Sequence, residues 1–376
     1  MLLKGIEEEL YAGTPDGDIL GLSPQVTSAL DGFVCEPDAR NLEYTTSPAI
    51  EYGSVQAQLQ ERRDTLAGYL AENGYNLIPG SCMSLEHDCA FEHSTPGNPY
   101  HARIRDLYGT DVVTTSCHIN VNIEDPEEMI RAYRIIRMEA PLFLALSASS
   151  PFLNGKATGL HSTRWQIFPK TPKNVPLFTG YSHYCDWMQK KMCTGEMYNV
   201  RHLWVSVRPN GVQPLEKLER LELRICDQIG DLAVMLGAIA LLEARVLQIL
   251  EQPSLDPLKV SWVNAANREP ALVAMSAGNE MAAALNSLNA GFHDWRTGEQ
   301  STVRRQLETL IDSVTPVAEA AGFADRLQPL QCVLKNGNVA QRWLRQYRAG
   351  KSIRDIVKQA IHRKFTCAVE QKCMMW

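Results

Sequence analysis

Residues Leu2–Gly13 read LLKGIEEELYAG, and three consecutive glutamates interrupt an otherwise largely apolar stretch. The pattern predicts a β-strand over Leu2–Tyr11, because successive side chains of a strand point to opposite faces of the sheet. Glu7 and Glu9 then share one face, roughly 7 Å apart, while Glu8 points to the other face. The stretch therefore predicts a sheet with two carboxylates on one side of its first strand.

Two further stretches show the same division into a polar and an apolar face. In TTSCHINVNI, His118 and Asn120 alternate with apolar residues, and in RLELRICD, Glu222 and Arg224 do so. Three predicted strands, far apart in the sequence, therefore each combine an apolar face with one that carries Glu, His, Asn or Arg.

These polar faces have two interpretations. One is that they meet water, as one side of many antiparallel sheets does. The other is a metal site, because carboxylates on one face repel each other unless a cation lies between them. Oxygen ligands with a single histidine favour Mg²⁺ or Mn²⁺ over zinc. Glu36 and Glu43 flank a turn that contains Pro37 and form a further acidic pair of this kind, with the alternative that Glu36 and Asp38 are ordinary turn residues.

Composition narrows the class of function. A chain of 376 residues with 45% hydrophobic content can bury a large core. Its net charge of -6 and pI near 5.9 argue against nucleic-acid binding, which needs clustered Lys and Arg. Ten cysteines without a CxxC pair indicate reduced thiols and a cytoplasmic setting. The most apolar run, Asp231–Leu250, contains Glu243 and Arg245, so we expect a core helix and no membrane span.

The remaining pattern predicts an α+β protein with one domain over residues 1–376. Further strands are expected over Val112–Ile123, His202–Arg208 and Leu218–Asp227. Helices are expected over Ser54–Glu72 and Pro126–Leu146, and then, in a mainly helical part from about residue 230, over 231–251, 269–288, 301–321, 338–348 and 351–369. This order predicts a largely antiparallel sheet backed by helices.

Several of these segments resemble those of a known family. They are GIEEE from Gly5, the Glu36–Glu43 interval, CHIN from Cys117, the block LSASSPFLNGKATGLHSTRW and RLELRICD. Together they resemble the glutamate–cysteine ligase (γ-glutamylcysteine synthetase) family, in particular its cyanobacterial branch, which is related to plant enzymes and to bacterial carboxylate–amine ligases. The resemblance extends from Leu2 to about Arg296. It implies a glutamine-synthetase-like fold, in which a curved antiparallel sheet forms a funnel with metals and substrates on its polar side.

The resemblance also implies roles for individual residues. The positions of the family's Mg²⁺ ligands are Glu7, Glu9, Glu36, Glu43, His118 and Glu222. The positions of its catalytic arginines are Arg164 and Arg224, with substrate-binding candidates at Asn120, Ser162, Trp165 and Arg208. Two positions depart from the pattern. Asn120 stands where related ligases often have a second histidine, and Glu8 stands where an apolar residue is usual, so we expect Glu8 to meet solvent or to pair with Lys4.

The reaction implied by the resemblance is an ATP- and Mg²⁺-dependent ligation, with Mn²⁺ as an alternative metal. It joins the γ-carboxylate of L-glutamate to the amine of L-cysteine through a γ-glutamyl phosphate, the first step of glutathione synthesis. One alternative is a ligase that uses another amine in a specialised pathway, and another is a metal-binding regulator without catalysis. The expected partners are small-molecule substrates, without nucleic acid or membrane, and the expected state is a monomer or homodimer.

Overall fold

A computed structural model of the protein describes residues 1–85 and 90–362. The strands are β1 (Lys4–Gly13), β2 (Phe33–Cys35), β3 (Asn41–Thr45), β4 (Asn76–Ile78), β5 (Cys117–Asn122), β6 (Phe152–Leu153), β7 (Lys156–Ala157), β8 (Val207–Asn210), β9 (Arg220–Leu223), β10 (Gly291–His293) and β11 (Gln300–Thr302). The helices are α1 (Ser23–Ala29), α2 (Tyr52–Glu72), α3 (Pro99–Tyr108), α4 (Pro126–Ser147), α5 (Thr163–Ile167), α6 (Tyr181–Cys193), α7 (Leu232–Glu251), α8 (Pro257–Val260), α9 (Arg268–Asn286), α10 (Val303–Ala320), α11 (Gln328–Asn336), α12 (Val339–Arg348) and α13 (Ile353–His362).

The main sheet is antiparallel and runs in the order β2-β3-β1-β5-β9-β8, with β4 paired to the end of β1. The first strand of the chain therefore lies in the middle of the sheet, between β3 and β5. The expected α+β architecture with an antiparallel sheet is confirmed.

The apolar face of the sheet is covered by helices. Ile6, Ile119 and Leu221 are at most 1% exposed and belong to one hydrophobic core with α4 and α7. Helix α4 contacts β8 and β9 directly, and α7, α9 and α10 pack against α4. Burial of this face leaves the opposite face, with its glutamates, as the one on which a site can form.

Two long helices follow their predictions closely because their ends are capped. The Asp125 side chain accepts hydrogen bonds from two backbone N–H groups in the first turn of α4, and Asp231 does the same for α7. Among the described residues, α7 is the one helix long and apolar enough to span a membrane, but 78% of its most apolar stretch is buried in the protein. It is a core helix, as predicted.

The strands differ more from their predictions. The segment before β5 forms a 3₁₀ turn at Gly109–Val112, and the segment before β8 forms another at Val200–His202, capped by the Asn199 side chain. Both strands are therefore shorter than expected. The final predicted helix begins at Ile353, and its expected part beyond residue 362 lies outside the described residues.

The prediction for Glu8 is wrong. This side chain is fully buried on the helix-covered face, where it pairs with Arg63 at 2.7 Å and also bonds to Tyr44 and Gln228. Lys4 instead pairs with Glu243 of α7 at 3.0 Å. Glu8 is a buried charge because an arginine from α2, distant in the sequence, compensates it.

Candidate active site

One row of polar side chains crosses five adjacent strands of the sheet. Its members lie directly opposite one another in the strand register: Glu43 with Glu9, Glu7 with His118, Asn120 with Glu222, and Glu222 with Arg208. Glu36 follows the end of β2, and Arg224 follows the end of β9. This set of nine residues is named the polar basin. The sequence prediction that the acidic faces of separate strands meet on one side of a sheet is thus confirmed.

At one end of the polar basin, Glu222 is surrounded by positive charge. Arg208 donates two hydrogen bonds to its carboxylate, at 2.9 and 3.0 Å, Arg224 donates another, and Asn210 donates one at 2.6 Å. Burial acts to raise the pKa of Glu222, but Arg208 and Arg224 outweigh it and hold that pKa well below its usual range. Glu222 is therefore an ionised, fully compensated carboxylate, and this group is named the Glu222 end.

The middle of the polar basin is a hydrogen-bonded chain around His118. Its Nδ1 lies 3.1 Å from Glu7 Oε2, and its Nε2 lies 2.9 Å from the Ser116 hydroxyl. Burial and Glu222 act to raise the pKa of Glu7, but the His118 hydrogen bond and the nearby positive charges lower it overall. Ligand atoms of Glu7, His118 and Glu222 all lie within 4.8 Å of one another, close enough to share a metal ion.

The other end of the polar basin, named the Glu43 end, contains Glu9, Glu36 and Glu43. Among the residues that the structure describes, no Lys or Arg forms an ion pair with any of these three carboxylates. Burial and the charge of Glu9 raise the pKa of Glu36 to about 7, and burial with Glu36 raises the pKa of Glu43 well above its usual value. The raised pKa values of Glu36 and Glu43 favour a proton on this pair in the metal-free protein.

The two ends together suit a divalent cation. The polar basin contains five carboxylates and two guanidinium groups, so it has an excess of negative charge, with Glu222 fully buried and the other four carboxylates partly exposed. Carboxylate oxygens are the ligands that Mg²⁺ prefers. Ligand atoms converge at Glu7, His118 and Glu222, and the raised pKa values at the Glu43 end show that a cation would relieve repulsion there as well. The residues therefore fit the expected metal, and their individual roles as ligands stay predictions.

Three predicted site residues lie outside the polar basin. Ser162 caps α5 and donates to Asp227 at 2.8 Å, and the Trp165 indole donates to Glu280 at 3.1 Å. Arg164 is 2% exposed and donates to the backbone carbonyls of Arg224 and Ile225. The structure brings these residues next to the end of β9, and it does not bring their side chains into the row of carboxylates.

The structure adds residues that the sequence analysis did not single out. Ser116 joins Glu9, at 2.6 Å, to His118, and Arg220 donates to the Asn120 side chain at 3.0 Å. Both could have been found by alternation, because Ser116 shares a face with His118, and Arg220 shares one with Glu222. Asn210 likewise shares a face with Arg208, but its contact with Glu222 depends on how β8 pairs with β9.

The protein has an antiparallel sheet with carboxylates and arginines on one face and helices on the other. This arrangement is consistent with an ATP-dependent carboxylate–amine ligase, and comparison with known proteins shows that the protein belongs to this class. The chain belongs to glutamate–cysteine ligase family 2, whose model matches residues 3–363.

Similar proteins cover nearly the whole chain. A protein of Sorangium cellulosum, provisionally named glutamate–cysteine ligase 2, is 26% identical over 96% of this chain and 95% of its own length. One from Rubrobacter xylanophilus with the same kind of name is 26% identical over 94% of this chain and 92% of its own.

Solved structures show the same fold at low sequence identity. Glutamate–cysteine ligase of Francisella tularensis, in complex with AMP, aligns with a TM-score of 0.70 at 13% identity, over 97% of this chain and 89% of its own. A bifunctional glutathione synthetase of Pasteurella multocida aligns with a TM-score of 0.73 at 14% identity, over 97% of this chain. The chain spans 52% of the length of that second protein. The expected fold is confirmed by these likenesses.

Proposed function

We propose that this ligase joins the γ-carboxylate of L-glutamate to the amine of L-cysteine and gives γ-glutamylcysteine, the first step of glutathione synthesis. It would use ATP and Mg²⁺, or Mn²⁺, and proceed through a γ-glutamyl phosphate. The observation that carries the proposal is the polar basin, in which five carboxylates and two arginines meet on one face of the sheet. The names of the relatives, glutamate–cysteine ligases, support the choice of substrates.

The chemistry requires both kinds of charge. Transfer of a phosphoryl group to a carboxylate passes through concentrated negative charge, and catalysis depends mainly on positioning the groups and stabilising that charge. Bound Mg²⁺ would supply charge neutralisation at the phosphate oxygens. The carboxylates of the polar basin are the groups available to hold it.

Two guanidinium groups are held in place at the Glu222 end, and Arg224 is the one proposed to contact the reactants, because all three nitrogens of Arg208 already donate to Glu222 or to the Arg201 carbonyl. Glu222 binds Arg208 through two hydrogen bonds and Arg224 through one, so both planar groups are fixed before any substrate arrives. Guanidinium groups can bind carboxylate or phosphoryl oxygens in a bidentate manner, which a lysine cannot do. Arg224 lies next to both Glu222 and His118 and is therefore placed directly beside the metal candidates.

The setting of the reaction is also part of the proposal. Six cysteines among the described residues are free thiols: Cys35, Cys82, Cys117, Cys185, Cys193 and Cys226. Unpaired thiols are typical of proteins that work in a reducing compartment. This supports the proposal that the enzyme acts in the cytoplasm, where ATP and free amino acids are available.

Release of ADP with ATP, Mg²⁺, L-glutamate and a panel of amines tests the proposal. We expect release that depends on L-cysteine and stops when EDTA removes the metal. Release without any amine measures background ATP hydrolysis and serves as the control. Release with other amines but not with cysteine would contradict the proposed acceptor, and no amine-dependent release at all would contradict catalysis by the polar basin.

A further inference from the structure

The sheet contains a β-bulge immediately after Glu222. Ile119 of β5 pairs with Leu223 of β9, and the next pair beyond it is Ser116 with Asp227. Between these two pairs the chain advances by three residues on the β5 side and by four on the β9 side. One extra residue is therefore inserted into the stretch that begins with Arg224. A bulge interrupts the ladder of backbone hydrogen bonds and changes the direction of the side chains beside it.

Arg164 binds the backbone at this bulge. Its two terminal nitrogens donate to the Ile225 carbonyl at 3.1 Å and to the Arg224 carbonyl at 3.2 Å. The guanidinium group is 2% exposed and is enclosed by the rings of Trp165 and Phe168, with 5.9 and 5.7 Å to their centroids. Both terminal nitrogens are thus engaged with carbonyl groups of the bulge rather than directed at the polar basin.

The other side of the bulge is fixed by Asp227. This carboxylate is fully buried and accepts hydrogen bonds from the Ser149 backbone at 2.9 Å, the Ser150 hydroxyl at 2.7 Å and the Ser162 hydroxyl at 2.8 Å. It also lies 3.9 Å from Arg164. The backbone N–H of Asp227 in turn donates to the Ser147 hydroxyl at 3.0 Å.

These contacts explain two sequence blocks that do not enter the polar basin. The serines belong to SASS, residues 147–150, and the arginine belongs to STRW, residues 162–165. Both blocks converge on the end of RLELRICD, where they satisfy backbone and carboxylate groups that the sheet itself leaves unpaired. Buried polar groups of this kind are costly unless every one of them is paired.

We propose that Arg164, Asp227 and Ser162 form a clamp that holds the bulge and thereby aims the Arg224 side chain at Glu222 and the reactants. Arg164 is then a positioning residue, and the family resemblance that suggested a catalytic arginine at this place is explained by its action through Arg224. The proposal rests on the proposed function in one respect, the role of Arg224 in the reaction. The clamp itself can be tested without turnover.

Hydrogen exchange of the backbone tests the clamp directly. In the full chain, Arg164→Lys keeps the charge but loses the planar fork that contacts two carbonyls at once. We expect amides in residues 224–228 to exchange at least about tenfold faster than in the unmodified protein, while β1 keeps its protection. The matched control is Arg134→Lys, which changes a buried arginine paired with Asp256 far from the bulge and should leave residues 224–228 unchanged.

A milder variant guards against misfolding. Ser162→Ala removes one hydrogen bond from Asp227 and should raise exchange in the same residues by a smaller factor. Exchange in residues 224–228 that stays at the original rate in both Arg164→Lys and Ser162→Ala would overturn the clamp.

Kinetics then distinguish positioning from direct contact. We expect Arg164→Lys to lower kcat about tenfold in the otherwise unchanged enzyme but less than about twofold when Arg224 is already Lys, because its effect passes through Arg224. Equal losses in both backgrounds would mean that Arg164 contacts the reactants itself, and the clamp proposal would fail. If the enzyme shows no amine-dependent turnover, the proposed function fails, and the exchange experiment alone decides the clamp.

Discussion

The two ends of the polar basin hold the same kind of carboxylate in opposite electrostatic states. At the Glu222 end, Arg208 and Arg224 compensate the charge, and the pKa of Glu222 lies well below its usual range although burial acts to raise it. At the Glu43 end, burial and the repulsion of Glu36 raise the pKa of Glu43. The negative charge at the Glu222 end is compensated by the protein itself. The negative charge at the Glu43 end is compensated only when a proton or a cation binds.

This difference indicates that the two ends have different roles: the Glu222 end positions arginines, and the Glu43 end is suited to binding a cation. A carboxylate bound to two arginines fixes those arginines, and removing one partner of such a buried group is costly. Carboxylates without a compensating charge store repulsion that a bound cation relieves, so folding and metal binding are linked. The same substitution, Glu to Gln, should therefore have opposite effects on stability at the two ends.

The largest effect is expected for Glu222→Gln. Loss of the charge leaves the buried Arg208 and the partly exposed Arg224 without their carboxylate, which should lower the free energy of unfolding by about 3 kcal/mol. Turnover should fall at least about a hundredfold because both guanidinium groups lose their orientation. Urea unfolding and ADP release measure the two effects. An unchanged unfolding midpoint would show that the arginines do not depend on Glu222.

Glu8→Gln is the control for this experiment. It also removes the carboxylate from a buried ion pair, with Arg63, but on the helix-covered face of the same sheet. We expect a loss of about 2 to 3 kcal/mol in stability with turnover per folded molecule close to the original. If Glu8→Gln loses as much turnover as Glu222→Gln, then general destabilisation, rather than the polar basin, explains both.

The alternation of side chains could be predicted from sequence, and the partners across strands could not. A period of two places Glu7, Glu9, His118 and Glu222 on polar faces whatever the rest of the chain does. Their meeting depends on the strand order, which pairs β1 with β5 over a separation of more than 100 residues. The family resemblance supplied that step, and local pattern alone did not.

The failed expectation for Glu8 has the same origin. Local sequence shows a charged residue on an apolar face, but its partner, Arg63, comes from α2 and lies 55 residues away. Arg164 is a similar case, because the β-bulge places the carbonyl groups to which it donates. The sequence pattern does not show this bulge. Predictions from sequence therefore succeed where periodicity decides the outcome and fail where a single tertiary contact does.

A smaller effect is expected from pH at the Glu43 end. Because the pKa of Glu36 is raised to about 7 from an ordinary 4.5, the unfolded chain loses this proton at lower pH than the folded protein does. The folded state binds more protons between these values, so stability should fall as pH rises from about 4.5 to 7. The full shift corresponds to about 3 kcal/mol, and because Glu36 is partly exposed we expect about 2 kcal/mol in metal-free protein. Above pH 7 this contribution should stay constant.

Urea unfolding in EDTA at pH 5 and pH 7.5 measures this change, with Glu36→Gln as the variant in which the loss should largely disappear. Added Mg²⁺ should stabilise the protein more at pH 7.5, where the carboxylates are free to bind it, than at pH 5. Equal stabilisation by Mg²⁺ at the two pH values would place the cation away from Glu36.

The smallest change in stability, and the one with the opposite sign, is expected for Glu43→Gln. Gln is neutral, like the protonated carboxyl that the raised pKa of Glu43 favours, so the metal-free protein no longer needs to bind a proton there on folding and should gain about 1 kcal/mol at neutral pH. The same variant should lose most of its stabilisation by Mg²⁺. Glu61→Gln, an exposed position on α2, is the matched control and should change stability by less than about 0.5 kcal/mol. If Glu43→Gln is destabilised and Mg²⁺ still stabilises it as much as the original protein, then the charge at the Glu43 end, like that at the Glu222 end, is compensated without a metal.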